Sequence, residues 1–351
     1  MPLLARMVAF PLTVDVRSGA VSGIVELLAD RRLSPNGQVA VAIGPGQGEQ
    51  IVQSVGPALG NADVSLVEGG TLDAAHALAA SVRRGSYDAV VGIGGGKTLD
   101  VAKYAATLSG LPMMAVATSL AHDGLASPVA SLEHEGGKSS YGVAIPLAVV
   151  VDLDYVRRCP REQLRSGIGD AVSNVSALAD WELAARERGE PMDGVASAMA
   201  RTGAEAVLHR TDAIDSEEFL TTLAQALVLG GLAMAIAGSS RPCSGACHEI
   251  AHAIDAANPG MNNHGAQVAV GALFASWLRG DDAVVAALDD CLRRYEVPRV
   301  PADLGLTEEQ FAVAVARAPA TRPERYTILE HLELGPAGIA SRVAAFTERF
   351  A

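Results

Sequence analysis

The chain has 351 residues and is 49% hydrophobic, with 4% aromatic and 19% charged residues. This length supports a sizeable core and predicts two domains more naturally than one. The formal net charge of −13 argues against general nucleic-acid affinity, which depends on clustered Lys and Arg. Because the overall field repels anions, an anionic substrate would have to be captured by local positive groups.

The cysteines and the apolar stretches indicate where the protein works. The spacing of the four cysteines matches neither a disulfide framework nor a zinc knuckle, so free thiols in a reducing compartment are expected. The N-terminus lacks the pattern of a secretory signal. The most apolar stretch, Leu220 to Ala237, contains glycines and predicts a buried helix and not a membrane span. We therefore expect a cytoplasmic protein without a membrane partner.

In the first half of the chain, short apolar runs alternate with helical patterns. The predicted strands are Val39–Ile43, Val64–Val67, Ala89–Ile93, Met113–Ala117 and Ala148–Val151, and the predicted helices are Gln47–Leu59, Leu72–Arg83 and Leu99–Leu108. Buried strands separated by helices indicate a parallel sheet with right-handed crossovers. This α/β domain is predicted to cover residues 1–153.

After Asp154 the β-branched runs disappear, which predicts an all-α domain over residues 154–351. The predicted helices are Leu164–Arg188, Met192–His209, Glu217–Ala237, Cys247–Ala257, Gln267–Ala275 and Asp281–Tyr295. An open parallel sheet binds ligands at the carboxyl ends of its strands. We therefore expect the functional site in the cleft between that edge and the helical domain.

A glycine-rich turn follows the strand Ala89–Ile93. Its sequence is Gly94-Gly95-Gly96-Lys97-Thr98-Leu99-Asp100, and a helix follows. Glycines let backbone N–H groups approach a phosphate, and a helix N-terminus adds partial positive charge. Thr98 is the predicted N-cap, with Asp100 in the first turn. A tight turn without a ligand is equally compatible, because this is neither the usual dinucleotide fingerprint nor a Walker loop.

A polar turn follows the next strand and runs from Thr118 to Pro128. It is predicted to lie at the same carboxyl edge of the sheet as the glycine turn. Thr118, Ser119 and Ser127 could donate to a cofactor, and Asp123 could accept from a substrate hydroxyl. The alternative is that these residues cap one another within the loop.

The helical half contains a candidate metal site. His248 and His252 are four residues apart and therefore share a helix face, and His264 follows after a helix end and a return loop. Asp170 plus two histidines would leave one coordination position open, as in catalytic zinc sites. A zincin pair at His248 and His252 is a competing interpretation that we set aside. The simplest alternative makes His252 a core residue and His264 a loop residue.

Several strings resemble the glycerol-1-phosphate dehydrogenase branch of the superfamily that also holds glycerol dehydrogenases, iron-dependent alcohol dehydrogenases and dehydroquinate synthases. They are GGGKTLDVAKYAA, TSLAHDGLASPVASL, VVDLDYV, GIGDAVSNVSALADWELA, SSRPCSGACHEIAHAID and NHGAQVAVG, over about residues 88 to 272. The resemblance implies a dehydroquinate synthase-like fold, with a Rossmann-like domain followed by a helical one. It also implies a metal-dependent NAD(P)H oxidoreductase acting on a small phosphorylated or phosphonylated ketone, most naturally dihydroxyacetone phosphate, which it interconverts with sn-glycerol 1-phosphate.

The resemblance also assigns roles to residues. Asp170, His248 and His264 become metal ligands, and His252 becomes the nearby histidine with a candidate proton-relay role. Gly94, Gly95 and Gly96 bind the cofactor pyrophosphate, Thr118, Ser119 and Ser127 line the nicotinamide side, and Asp123 contacts substrate. Beyond the resemblance, Lys97 and Asp100 are further cofactor-binding candidates, and His122 is a second candidate for the proton relay. Arg241 and Lys138 are candidates for the substrate phosphate, with a solvated surface charge as the alternative.

Differences among the branches guide the choice of metal and cofactor. Iron-dependent relatives place a fourth ligand, His, where this chain has Asn174, which favours Zn²⁺ while leaving Fe²⁺ and Ni²⁺ open. The first main strand ends without an acidic residue for a ribose hydroxyl, so NAD and NADP both remain open. Rival interpretations are a reductase of a phosphonate or another phosphorylated ketone, a sugar-phosphate cyclase, and a non-catalytic nucleotide-binding protein. The cyclase is less favoured because dehydroquinate synthases carry Glu where this chain has Asp170. A homo-oligomer is expected from the resemblance.

Overall fold

The computed structural model describes residues 10–59, 62–135 and 137–351. The chain divides into two compact units. The first runs to Ser119 and continues over Gly124–Cys159, and the second comprises Leu120–Asp123 and Pro160–Ala351. The division after Cys159 falls six residues beyond the boundary predicted at 153. The short segment that leaves the first unit and joins the second carries Asp123, and no sequence pattern predicts this exchange.

The first unit contains a six-stranded parallel sheet. Its strands are β1 (Thr13–Arg17), β2 (Val39–Ile43), β3 (Asp63–Leu66), β4 (Ala89–Gly94), β5 (Met113–Ala117) and β8 (Ala148–Asp152), in the order β1-β8-β5-β4-β2-β3. The four inner strands are buried along their whole length, as expected for a sheet covered on both faces. The predicted α/β class is therefore confirmed.

The helices of the first unit surround this sheet. They are α1 (Ile24–Leu28), α2 (Gln47–Leu59), α3 (Leu72–Arg84), α4 (Gly96–Ser109) and α5 (Leu153–Val156). The sequence patterns miss the edge strand β1 and an antiparallel hairpin of β6 (Val129–His134) and β7 (Gly137–Gly142). Strand β7 has the sequence GKSSYG, and without β-branched residues it gives no strand signal.

The second unit is helical. It contains α6 (Arg161–Arg188), α7 (Gly194–Leu208), α8 (Glu217–Ala237), α9 (Ala246–Ala257), α10 (His264–Arg279), α11 (Asp282–Arg294), α12 (Glu308–Arg317), α13 (Ile328–Leu332) and α14 (Pro336–Phe350). The predicted helix Gln267–Ala275 is therefore too short at both ends. The last three helices were not predicted.

Helix α8 is the apolar stretch identified in the sequence. It is long and apolar enough to cross a membrane by length and composition alone, with a mean hydropathy of 1.9. In the structure 72% of that apolar window is buried inside the protein. This burial is that of a core helix, as predicted.

Candidate active site: a carboxylate and two histidines on three helices

Asp170 lies on α6, a helix that is buried on nearly every side between Ser166 and Leu178. A helix without a polar face belongs in the centre of a helical unit. The Asp170 side chain is only 3% exposed. A carboxylate so far from water needs compensating partners, because burial of an unpaired charge is costly.

Three glycines allow other backbone segments to reach the Asp170 region of α6. A Cβ on Gly167 would lie 1.9 Å from the carbonyl oxygen of Leu120, and one on Gly169 would lie 2.2 Å from that of Gly265. A Cβ on Gly265, in the first turn of α10, would lie 1.8 Å from the carbonyl oxygen of Ser166. Any side chain at these positions would separate the segments.

Hydrogen bonds of Ser166 stabilise the close packing of these backbone segments on α6. Its hydroxyl donates to the carbonyl oxygen of Ala121 at 2.9 Å and accepts from the N–H of Gly265 at 3.1 Å. The N–H of Asp123 donates to Asp170 Oδ2 at 2.8 Å. The segment Leu120–Asp123 and the start of α10 are thus held on the same stretch of α6.

The predicted metal ligands converge on the second oxygen of Asp170. Asp170 Oδ1 lies 3.7 Å from His248 Nε2 and 3.9 Å from His264 Nε2, and the ligand atoms of all three residues lie within 4.8 Å of one another. Ligand atoms in a tetrahedral zinc site with bonds of about 2.1 Å lie about 3.4 Å apart. One carboxylate oxygen and two imidazole nitrogens at this spacing fit a divalent metal ion.

The electrostatics of the cluster suit a cation. Burial raises the pKa of the Asp170 carboxyl well above its usual value, and the charge of Asp123 raises the pKa further. A metal cation would counter both effects by favouring the carboxylate. Burial also lowers the pKa of His248 well below its usual value, so the imidazole is neutral, the form that binds metals.

His252 lies beside the ligands but outside their set. It is on the same face of α9 as His248, with 6.4 Å between the two ring centroids, and its ring lies 6.2 Å from that of His264. The sequence predicts this placement from the four-residue spacing, and the return loop through Gly260, with φ of 74°, leads to His264 as expected. His264 is the first residue of α10 and not a loop residue.

The zincin interpretation fails on the position of Glu249. Residues His248 to His252 match the H-E-x-x-H sequence pattern of zinc metalloproteases, in which the Glu acts as a general base. Glu249 is 0% exposed, and its Oε2 accepts from the hydroxyl of Thr327 at 3.2 Å. Burial raises the pKa of Glu249 to about 8. Its carboxyl is therefore part of the core contact between α9 and the start of α13.

The glycine turn of the first unit follows β4, and α4 begins at Gly96 with Gly95 as its N-cap. Thr98 is therefore not the N-cap, contrary to prediction. Its side chain fills space that two glycines leave, since a Cβ on Gly44 would lie 2.5 Å and one on Gly94 2.8 Å from Thr98 Oγ1. The N–H groups of the first helical turn of α4 remain the predicted phosphate-binding groups.

Two charged residues of this turn have partners within the first unit. Lys97 is 70% exposed and pairs with Glu133 at 3.1 Å. Asp100 is 4% exposed and lies in the second turn of α4, where its carboxylate contacts Lys103 Nζ at 3.0 Å and accepts from the N–H of Ser131 at 3.1 Å. The structure therefore gives Asp100 partners inside the first unit, and its predicted cofactor contact stays a prediction.

The polar turn begins beside the glycine turn, as the sequence predicts. Strands β4 and β5 are neighbours, with Gly94 opposite Ala117, and the N–H of Thr118 donates to the carbonyl oxygen of Gly94 at 3.0 Å. Thr118 is buried, and Ser119 is half-buried. Ser127 is 1% exposed, and its hydroxyl donates to the backbone at 3.2 Å, so this residue closes the turn internally.

The two residues named as phosphate candidates are placed differently. Arg241 is 4% exposed and forms two bonds of 2.7 Å to the Glu190 carboxylate, so its charge is already paired within the protein. Lys138 lies exposed on β7 of the first unit.

Two arginines close to the histidines were not predicted. The Arg322 guanidinium lies 3.5 Å from His252 Nε2, and Arg325 donates to Ser240 Oγ at 2.6 Å. Both charges contribute to the lowered pKa of His248. They lie far beyond the last motif in the sequence, in a segment with no periodic pattern, so only the folded structure reveals them.

Comparison with known proteins supports the class that the fold and site define. A family model described as iron-containing alcohol dehydrogenase matches residues 15–160. A probable glycerol dehydrogenase from Sinorhizobium meliloti superposes with a TM-score of 0.79 over 98% of this chain and 99% of its own, at 22% identity, which shows the fold. The fold and the ligand set thus define a metal-binding NAD(P)-dependent dehydrogenase.

Closer relatives identify the family. The glycerol-1-phosphate dehydrogenase of Thermofilum pendens, named with NAD(P)+ as its cofactor, is 45% identical over 75% of this chain and 76% of its own. That of Methanothermobacter thermautotrophicus is 34% identical over 98% of this chain and 99% of its own. The chain belongs to the glycerol-1-phosphate dehydrogenase family.

Proposed function

We propose that this chain interconverts dihydroxyacetone phosphate and sn-glycerol 1-phosphate with NADH or NADPH, using a metal held by Asp170, His248 and His264. The observation that carries the proposal is the convergence of two histidine nitrogens on one oxygen of Asp170 in a chain of this family. Family membership favours a dehydrogenase over the cyclase and over a non-catalytic binding protein.

The bound metal supplies Lewis-acid stabilisation of negative charge that develops on the substrate oxygen. The protein holds the ligand set in place by fixing both ends of the Asp170 carboxylate. Oδ2 accepts from the N–H of Asp123, which leaves Oδ1 directed at the two histidines. We assign zinc to the site because Asn174, one turn after Asp170 on α6, offers no fourth imidazole.

Asp123 and His252 are assigned to the substrate. Asp123 is half-buried, and its backbone bond to Asp170 places its carboxylate in the second unit, where it can accept from a substrate hydroxyl. His252 is close to both histidine ligands without belonging to the set, so it is the group we assign to carry the proton, with half-buried His122 as its partner. The Arg322 guanidinium, which can only donate, lies 3.5 Å from His252 Nε2.

The cofactor is assigned to the first unit. The N–H groups at the start of α4, from Gly95 to Lys97, are proposed to bind the pyrophosphate, and Thr118 and Ser119 the nicotinamide portion. Strand β2 ends at Ile43 without a following carboxylate, so the 2′-phosphate of NADPH meets no repulsion there. We further propose that the protein works in the cytoplasm as a homo-oligomer.

The first test is reduction of dihydroxyacetone phosphate by the zinc-loaded protein, followed through the absorbance of NADH and NADPH. Metal-dependent oxidation is expected, and the faster cofactor is the preferred one. Absence of oxidation with this ketone but turnover of a phosphonate analogue would move the substrate assignment to that analogue. Turnover that survives complete metal removal would contradict the proposal.

The ligand assignment is tested by Asp170→Ala, with Glu182→Ala as the control on the same helix. Glu182 is exposed, so its loss changes the charge of α6 without touching the cluster. Asp170→Ala should lose both bound metal, measured by elemental analysis, and turnover. A variant that kept full activity would show that Asp170 is not a ligand.

A further inference from the structure

Three arginines of the second unit, Arg241, Arg322 and Arg325, lie close enough for their charges to interact. Two of them make several hydrogen bonds within the protein, although Nη1 of Arg241 has no hydrogen-bond partner among the described residues. Arg241 pairs with Glu190 through two bonds of 2.7 Å and donates to the carbonyl oxygen of Tyr326 at 3.1 Å. Arg325 is 8% exposed and donates to Ser240 and to the carbonyl oxygen of Ser244, which precedes α9.

Arg322 differs from the other two. Within the described part of the chain, no carboxylate lies within 4.0 Å of its guanidinium. Its side-chain contact is the 3.5 Å approach to His252 Nε2, at the outer limit of a hydrogen bond. A guanidinium has five N–H donors, so most of its donors remain available. Arg322 is half-buried, and it is therefore a partly desolvated cation beside the catalytic histidine.

The substrate supplies the group that such a cation binds. A phosphate dianion is repelled by the overall charge of −13 and by the half-buried carboxylate of Asp123, whereas the metal proposed at Asp170 would offset the charge of that carboxylate. A positive group must offset this repulsion inside the site. A planar guanidinium matches two phosphate oxygens at once, which a single ammonium group does not.

The dimensions also agree. The carbonyl oxygen of a three-carbon ketone phosphate lies about 6 Å from its outer phosphate oxygens, judged from ordinary bond lengths. The ring of His252, which Arg322 contacts, lies 6.2 Å from the ring of His264 and 6.4 Å from that of His248. The span of one small substrate is therefore similar to the separation between the ligand rings and the ring that Arg322 contacts.

We propose that Arg322 binds the substrate phosphate and thereby selects the phosphorylated ketone over its unphosphorylated counterpart. This inference rests on the proposed function. It assigns Arg322 a binding role and leaves proton transfer to His252.

The experiment compares Arg322→Gln with Arg317→Gln in the metal-loaded enzyme. Arg317 is an exposed arginine five residues earlier, at the end of α12, so its replacement makes the same charge change away from the cluster. Values of kcat/KM are measured for dihydroxyacetone phosphate and for dihydroxyacetone. Arg322→Gln should lose about 10- to 150-fold with the phosphorylated ketone, mainly through KM, the loss expected for a hydrogen-bonded charge. Any loss through the contact with His252 is shared by both ketones, so the loss with dihydroxyacetone should be the smaller of the two.

Arg322→Lys should recover part of the loss, because it keeps the charge but not the planar fork. Metal content and melting temperature should match the wild type in all three variants. An equal loss with both ketones, or no loss with either, would overturn the proposal.

A further measurement separates this inference from the proposed function. If the wild type does not reduce dihydroxyacetone phosphate, the proposed function fails. Binding of inorganic phosphate to the wild-type and Arg322→Gln proteins, measured by calorimetry, then decides the role of Arg322. Weaker phosphate binding by the Arg322→Gln protein than by the wild type supports an anion site at Arg322. Equal phosphate binding by the two proteins overturns the proposed anion site.

Discussion

Replacing Gly265 by Ala should disrupt the metal site without touching a ligand. The added Cβ would lie 1.8 Å from the carbonyl oxygen of Ser166, where real Cβ atoms need at least 3.0 Å, so α10 must move by 1.2 Å or more relative to α6. Backbone atoms of two packed helices cannot rotate away as a flexible side chain can. His264 is the neighbouring residue on α10 and must move with it.

The magnitude follows from this displacement. Metal–ligand distances tolerate only about 0.2 Å, so a shift of this size should reduce metal affinity by well over tenfold. Overpacking against backbone should also cost about 3 kcal/mol of unfolding free energy, the upper end of the usual range. Chelator competition would measure the affinity, and thermal unfolding of the metal-free protein would measure the stability.

Gly338→Ala is the matched control, because it also lies near the start of a helix of the second unit. Its Cβ would meet Leu334 at 3.6 Å, an ordinary contact, so this change should stabilise α14 by up to about 1 kcal/mol. If Gly265→Ala bound metal like the wild type and melted at the same temperature, the argument that glycine permits this helix approach would be refuted.

Three other predictions concern buried polar groups. Lys103→Met should destabilise the protein by about 3–5 kcal/mol in denaturant unfolding, because it leaves the buried Asp100 carboxylate without its ion-pair partner. Adding Asp100→Asn should recover part of that loss. Additive effects of the two substitutions would contradict the pairing. Burial raises the pKa of Cys291 to about 12, so its thiol should resist a thiol reagent at pH 8 until urea unfolds the protein. The unfolding free energy that comes from keeping this thiol protonated should be lost only as the pH rises from about 9 toward 12. Labelling of the native thiol at pH 8 would show the burial to be wrong. Arg241→Met should lower the melting temperature by leaving Glu190 unpaired, without raising KM for the substrate; a specific rise in KM would restore Arg241 as a phosphate ligand.

Much of the fold could be predicted because burial leaves a direct mark on sequence. The strands β2, β4, β5 and β8 are buried on both faces and are therefore continuous apolar runs, which the sequence analysis located to within one residue. The edge strand β1 was missed because it lies at the sheet margin, with Val14 41% exposed. Register and partners of an edge strand depend on a neighbour that is distant in sequence.

The candidate site was predictable in part for a related reason. The four-residue spacing of His248 and His252 fixes their common helix face, and a local rule suffices to see it. The convergence of Asp170 with His264 depends on helix contacts between residues far apart in the chain. Asp100 is predicted to bind the cofactor from its place after the glycines, and only the structure shows that its carboxylate pairs with Lys103, one helical turn away inside the core.

The sequence by itself determined the α/β class, the glycine and polar turns at one edge of the sheet, the likeness to its family and the residues able to hold a metal. These follow from local periodicity and from residue chemistry. Only the tertiary structure decided that Leu120–Asp123 joins the helical unit and that Arg241 forms an ion pair with Glu190. It also decided that Arg322 contacts His252 while most of its N–H donors remain available. Ion pairing depends on which side chains meet in space, and distance along the chain does not encode that.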